Sequence, residues 1–223
     1  MKLSANTVEV LKNYATINPS ILVKEGNVLS TIHPQKAIFA KTTVEESFPQ
    51  QFAIYELSKF LGVISLFQEP ELVFGDKKIT IKSGAQKLSY TCADPAMIIS
   101  PPEKELTFPA VDVEFDIKQE ELQKLIRAGS VLQLPDIAAI GNGKTISLTA
   151  TNTKNPTTDQ YSVEVGKTDK TFSMVFKMDN IIKLISSDYN VKISGKGISK
   201  FESTANMKTL YYVATEANSK FGE

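Results

Sequence analysis

The chain has 223 residues, 42% hydrophobic and 22% charged, with 25 basic and 25 acidic side chains and a formal net charge of zero. That composition is globular and long enough for one large domain or two ordinary ones, and it excludes disordered and membrane classes. No apolar run approaches the roughly 18 residues that span a bilayer, Met1-Lys2-Leu3-Ser4-Ala5-Asn6 lacks a signal-peptide core, and Cys92 has no second cysteine to bridge, so a soluble protein of a reducing cytoplasm is expected.

In chain order, the first predicted element is a helix over Asn6–Ile17, with Val8, Leu11 and Ala15 on its apolar arc and Asn18-Pro19 as its stop. Strand-like runs follow at 21–23, 28–32 and 37–40, punctuated by Gly26-Asn27 and Pro34. A second helix is expected from Tyr55 or Glu56 to Phe67, since Leu57, Phe60, Leu61 and Ile64 recur at i, i+3, i+4, i+7. Three short strands come at 72–74, 79–81 and 87–90. The stretch Pro95 to Pro109 holds four prolines and little periodicity, and reads as an extended linker.

The programme then restarts. Val113–Ile117 alternates as a strand, and a helix runs to Ala128, with Asp116 and Gln119 as its capping pair and Gly129 as its stop. Strands are expected near 134–140, 145–151, 161–166 and 171–177, a short helix over Asp179–Ile185, and strands near 189–194, 198–203 and 208–215. Each half therefore reads helix, strands, second helix, three strands. This predicts an α+β fold with two similar domains, 1–94 and 111–223, joined by a linker over 95–110, each laying two helices on antiparallel sheets. Two unrelated α+β domains would give a similar pattern.

The chemistry-bearing residues are few. His33 is the only histidine and there is no tryptophan. Cys92 and His33 cannot make a zinc site, and a catalytic triad would have to run through His33, which reads more simply as a surface or pocket histidine. Gly141-Asn142-Gly143-Lys144 lacks the spacing of a phosphate loop and instead marks a hairpin turn. Adjacent acids such as Glu45-Glu46 and Glu120-Glu121 read as solvated. No catalytic residue, metal or cofactor is expected, although an enzyme working through carboxylates alone stays open.

Every predicted helix carries a basic residue on its polar face: Lys12, Lys59, Lys124 with Arg127, and Lys183. Solvated faces of many proteins do the same. The type of charge says more, because 24 of the 25 basic residues are lysine and only Arg127 is arginine. Lysine is a point charge toward phosphate, whereas the arginine fork reads base edges. Such a surface suits weak, salt-sensitive contact with DNA of any sequence.

Four segments then carry a family likeness. They are Met1-Lys2-Leu3-Ser4 with Leu11-Lys12-Asn13 and Ala15-Thr16-Ile17-Asn18; Ala53-Ile54-Tyr55-Glu56-Leu57 with Phe60–Leu66; Ala93-Asp94-Pro95 through Pro102 to Phe108-Pro109; and Ile117–Arg127 continuing to Leu132-Gln133. With them the chain resembles the replication sliding clamps of T-even-type bacteriophages; the segment from Asn152 onward departs further. The resemblance implies a DNA-clamp fold assembling into a six-domain homotrimeric ring. Such a ring encircles duplex DNA without sequence preference, tethers the replicative polymerase, is loaded by an ATP-dependent clamp loader, and works in the cytoplasm of the infected host. It places Lys12, Lys59, Lys124, Arg127 and Lys183 toward DNA. Subunits would join at sheet edges near Gln86–Cys92 and Tyr161–Val165. A polymerase C-terminal peptide would dock beside the linker, with Ile32, His33, Leu106, Phe108, Pro109, Tyr211 and Tyr212 as candidates, core packing being the competing role for Phe108 and both tyrosines. The rival without the resemblance is a non-catalytic structural or assembly protein of duplicated α+β domains.

Overall fold

In the computed structural model, which describes residues 1–104, 106–155, 157–205 and 208–222, Ser4 opens the first helix, α1 (Ala5–Ile17), its hydroxyl accepting the Thr7 N–H at 3.2 Å. The chain divides into two compact units, Met1–Lys104 and Glu105–Glu223. In the first, α1 is followed by β1 (Ile21–Val23), β2 (Gly26–Ile32), β3 (Ile38–Phe48), β4 (Phe52–Ile54), α2 (Leu57–Ile64), β5 (Glu71–Phe74), β6 (Lys78–Ser83) and β7 (Gln86–Thr91). β1 pairs antiparallel with β4, β2 with β3, and β5, β6 and β7 form an antiparallel meander.

Two of these strands exceed the expectation. β3 continues past Ala40 to Phe48, because its inward positions go on alternating through Thr42 and Val44. The Thr42 hydroxyl is satisfied inside by the Tyr14 hydroxyl at 2.7 Å, so a polar residue sits in the core without penalty. β4 was not expected at all; Phe52, Ala53 and Ile54 are all buried, so they show no alternation to read. Glu46 on β3 accepts from the Ser4 N–H and the Thr7 hydroxyl at the start of α1. Partial burial pushes its carboxyl up, but those hydrogen bonds outweigh burial and hold it below the usual carboxylate value. The core closes around Phe48, Phe52 and Phe74, with ring centroids 5.1–6.3 Å apart.

The second unit runs β8 (Val113–Ile117), α3 (Gln119–Val131), β9 (Asp136–Asn142), β10 (Thr145–Thr151), β11 (Tyr161–Lys167), β12 (Thr171–Lys177), α4 (Met178–Ile181), β13 (Tyr189–Ser194), β14 (Ile198–Ser203), β15 (Thr209–Ala214) and β16 (Lys220–Phe221). One antiparallel sheet has the order β11-β10-β9-β12-β16, and β8, β13, β14 and β15 are antiparallel neighbours in that order. The Asn142-Gly143 turn joins β9 to β10: Gly143 takes φ +80° and the Asn142 Oδ1 accepts from the Lys144 and Thr145 N–H groups at 2.9 and 2.8 Å.

Three expectations change here. The cap of α3 is not the Asp116–Gln119 pair: Lys118 is the N-cap residue, Glu121 accepts its N–H at 3.3 Å, and Asp188 accepts the Gln119 N–H at 2.7 Å. Gly129 is not its stop, since α3 continues to Val131. A Cβ at Gly129 would lie 2.2 Å from the Met178 Cε, so the glycine serves close packing. The fourth helix is one turn rather than seven residues, and Lys183 lies beyond it in a turn closed by the Lys183 N–H to the Asn180 carbonyl. Antiparallel sheets with two helices in each unit make the fold α+β, and no helix among the described residues is long and apolar enough to cross a membrane.

Candidate functional site

Four of the five basic residues of interest stand on helices whose other faces are locked; the fifth, Lys183, is half-buried in the turn after α4. α1 buries Thr7, Val10, Leu11, Tyr14 and Ile17, which leaves Lys12 exposed. α2 buries Leu57, Phe60, Leu61 and Ile64 and exposes Lys59, whose Nζ meets the Glu56 carboxylate at 3.1 Å. α3 buries Leu122, Leu125 and Gly129 and exposes Lys124 and Arg127. Lys124 pairs with Glu120 one turn back at 2.6 Å, which raises the lysine and lowers the glutamate from their ordinary values. Lys12 and Arg127 have no ion-pair partner among the described residues. The Glu56–Lys59 and Glu120–Lys124 pairs were readable from their i, i+3 and i, i+4 spacing. Such exposed pairs are weak.

The candidate peptide-pocket residues fall in both units. Ile32 ends β2, and His33 is half-buried in the turn to β3, its N–H donating to the Ile38 carbonyl at 2.8 Å and its Nδ1 accepting from the Gln35 N–H at 3.2 Å. In the second unit, β15 alternates. Tyr211 points inward and is fully buried, whereas Tyr212 points outward and is half-buried. Phe108 lies half-buried against Tyr212, with ring centroids 6.0 Å apart and planes at 35°. Pro109 is half-buried and Leu106 is 40% exposed. Tyr211 therefore has the core role: its hydroxyl accepts from the Ile185 N–H at 3.2 Å, and burial pushes its phenol far above the usual tyrosine range. Tyr189, which the sequence did not single out, donates its hydroxyl to the Ile185 carbonyl.

Two of the strands that end their sheets lie at candidate subunit edges. β7 ends the β5-β6-β7 meander and β11 ends the five-stranded sheet. Neither contains a fully buried residue, and their apolar side chains, Leu88 and Tyr90 on β7 and Tyr161, Val163 and Val165 on β11, are only half-covered. Unpaired strand edges with half-covered apolar rows are features that folded proteins ordinarily cover.

A curated relative, the sliding clamp of Vibrio phage KVP40, is 33% identical over 97% of this chain and 100% of its own length. The chain belongs to the phage sliding-clamp family. The sliding clamp of Enterobacteria phage T4 is 32% identical, with 98% of each chain covered. The family described as DNA polymerase processivity factor matches residues 3–100, and the one described as gp45 sliding clamp, C terminal, matches residues 114–217. Lys12, Lys59, Ile32 and His33 fall in the first match; Lys124, Arg127, Lys183, Tyr211 and Tyr212 fall in the second; Leu106, Phe108 and Pro109 lie between them. Among solved structures, the chain is similar in fold to the PCNA of A. fulgidus bound to the C-terminal region of FEN-1, with TM-score 0.71, 12% identity and 96% of each chain covered. The PCNA of Entamoeba histolytica gives TM-score 0.69 at 12% identity, with 94% of each chain covered. The sliding-clamp function accordingly rests on the phage relatives, and the PCNA likeness supports the fold.

Proposed function

We propose that this sliding clamp works as a non-catalytic homotrimeric ring, closed by pairing the β7 edge of one copy with the β11 edge of the next. The observation that carries the assembly is the pair of open edges, one on each unit, each with a half-covered apolar row. Joining them head to tail satisfies both backbones, and a closed ring leaves neither of these two edges open. The ring encircles duplex DNA, with Lys12, Lys59, Lys124, Arg127 and Lys183 as the counter-charges for its phosphates. A net charge of zero and a near-absence of arginine suit a clamp that slides, since topology supplies retention where tight phosphate contacts would brake it. An ATP-dependent loader opens it, and the site of action is the cytoplasm of the infected host.

The partner contact we propose is an apolar peptide, the C-terminal tail of the replicative polymerase, held beside the linker by the outward Phe108–Tyr212 pair with Leu106 and Pro109. The A. fulgidus PCNA of similar fold was solved with a C-terminal region of its partner bound, which supports a tail as the form of ligand. Few buried anchors carry such binding.

The first experiment is molar mass by light scattering over a concentration series at low and moderate salt. The expected species is three subunits, dissociating on dilution. A strict monomer at high concentration would remove the closed ring and bring back the structural-protein reading.

A further inference from the structure

We infer that Asn18 is a positioning residue: its buried side chain clasps the start of the linker to the end of β2 and so presets the linker for the partner peptide. The inference rests on the reading above that a peptide docks beside the linker.

From sequence, Asn18-Pro19 looks like a helix stop, and its backbone does that work. Asn18 is extended, as a residue before proline prefers, and its N–H donates to the Tyr14 carbonyl at 2.9 Å. The side chain goes further. It is 2% exposed, and its Nδ2 donates to two carbonyls far apart in the chain, Ile32 at 2.9 Å and Ile99 at 3.0 Å. Its Oδ1 accepts from the Ser20 N–H and the Ser20 hydroxyl, both at 3.0 Å. All four hydrogen-bonding positions of the amide are filled. Ending a helix needs none of them.

The two carbonyls identify the purpose. Ile32 immediately precedes His33 at the end of β2. Ile99 lies just after a one-turn 3₁₀ helix, Pro95–Met97, and just before Pro101-Pro102. Ile98 is buried, whereas Ile99, Pro102, Glu103 and Lys104 are exposed. The Asn18 amide thus holds the linker where it leaves the packed part of the first unit. The ion pair farther along, Lys24–Glu103 at 3.5 Å, joins two exposed side chains and is a weak tether. A linker released at Ile99 would sample many courses, and a peptide needing one of them would bind in proportion to its population.

The test uses full-length protein with Asn18→Asp and Asn18→Ala. Aspartate keeps the acceptor for Ser20 and, near neutral pH, turns the two donations into a buried negative charge facing both carbonyls, so it opens the clasp at those two contacts. Hydrogen exchange over residues 95–104 reads the linker, and calorimetric titration with a synthetic peptide of the cognate polymerase's C-terminal tail reads the site. Near neutral pH, Asn18→Asp should raise exchange there by roughly ten- to thirtyfold, as expected for two lost hydrogen bonds, and weaken peptide binding by about tenfold, with α1 and β2 protected as before. Lowering the pH should partly rescue it, because a protonated carboxyl can donate to one carbonyl again; Asn18→Ala should show no rescue. Unchanged linker exchange, or peptide affinity equal to wild type despite a freed linker, would overturn the inference. Failure of the peptide reading is distinguishable, since then the wild-type protein itself would not bind the peptide.

Discussion

The second helix of the first unit, α2, and its counterpart in the second, α4, hold their places by different means. α2 has two turns and buries half of its eight residues: Leu57, Phe60, Leu61 and Ile64. Phe60 meets Tyr90 edge-on at 5.0 Å, and the Leu57 N–H is received by the Pro19 carbonyl at 2.7 Å. α4 has one turn, too short to sustain itself by propagation. Polar groups grip it at both ends instead. The Met178 N–H donates to the Pro135 carbonyl at 2.8 Å, and the neighbouring Lys177 reaches Asp136 at 3.0 Å and Glu216 at 3.5 Å. Past its end, Tyr211 and Tyr189 hold the N–H and carbonyl of Ile185. The comparison teaches that a segment too short to sustain itself as a helix can keep its position in a fold where fixed hydrogen bonds at both ends add to the burial of Met178, Ile181 and Leu184. Its vulnerability accordingly extends from volume to polarity.

The largest effect expected from that difference lies at Asp136. Its side chain is 1% exposed, against 38% for Lys177, and it accepts from the Thr153 N–H and hydroxyl as well as from Lys177. Burial pushes its carboxyl up, yet the hydrogen bonds from Thr153 and Lys177 outweigh that and hold it below its ordinary 3.8. Asp136→Asn keeps the shape and should cost about 2–3 kcal/mol near neutral pH, the scale of a hydrogen bond to a charged group. A depressed carboxylate contributes its full stability above the ordinary value and loses it as pH falls through the folded one. The melting-temperature gap between wild type and Asp136→Asn should therefore close as the pH is lowered from neutral to below 3.8. A gap that ignores pH would mean that the charge is not what anchors the start of α4.

A smaller effect is expected at the other end. Tyr211→Phe keeps the ring, its edge-on packing at 6.3 Å from Tyr189 included, and removes the acceptor for the Ile185 N–H. The expected cost is about 1–2 kcal/mol, with faster hydrogen exchange confined to residues around 182–187. Exchange that rises evenly over the whole second unit would argue for a general loss of packing rather than a released segment.

Sequence reading handled the two regions unequally, for the same physical reason. α2 announced itself through four apolar residues at helical spacing. The helix expected over Asp179–Ile185 ends after one turn, and its apolar residues divide, Ile181 and Leu184 buried but Ile182 exposed, so no single helical face carries it. β4 stayed hidden because all three of its residues are buried. Tyr211 and Tyr212 could not be told apart until pairing fixed the register, with Lys200 opposite Tyr212 and Phe201 opposite Tyr211. The candidate site was legible where it depends on local spacing, as with Lys12, Lys59, Lys124 and Arg127. Asn18 was read only as a stop, because the two carbonyls it joins are distant in sequence from it and from each other.

The smallest effect tests the two helical glycines against one another. Gly129 in α3 packs on Met178, but at Gly62 in α2 an added Cβ would meet nothing within 4 Å. Gly62→Ala should therefore stabilise the protein by about 0.5–1 kcal/mol, the penalty of glycine inside a helix, measured as a higher denaturant midpoint at unchanged slope. Gly129→Ala should gain less or lose, because the Met178 methyl must move first. If Gly62→Ala is more stable and supports processive synthesis on primed DNA as well as wild type, the glycine marks only an unfilled solvent position beside Lys59. If stability rises while processivity falls, the bare backbone at Gly62 is a place where the duplex comes close, and α2 carries a steric as well as a charged contact.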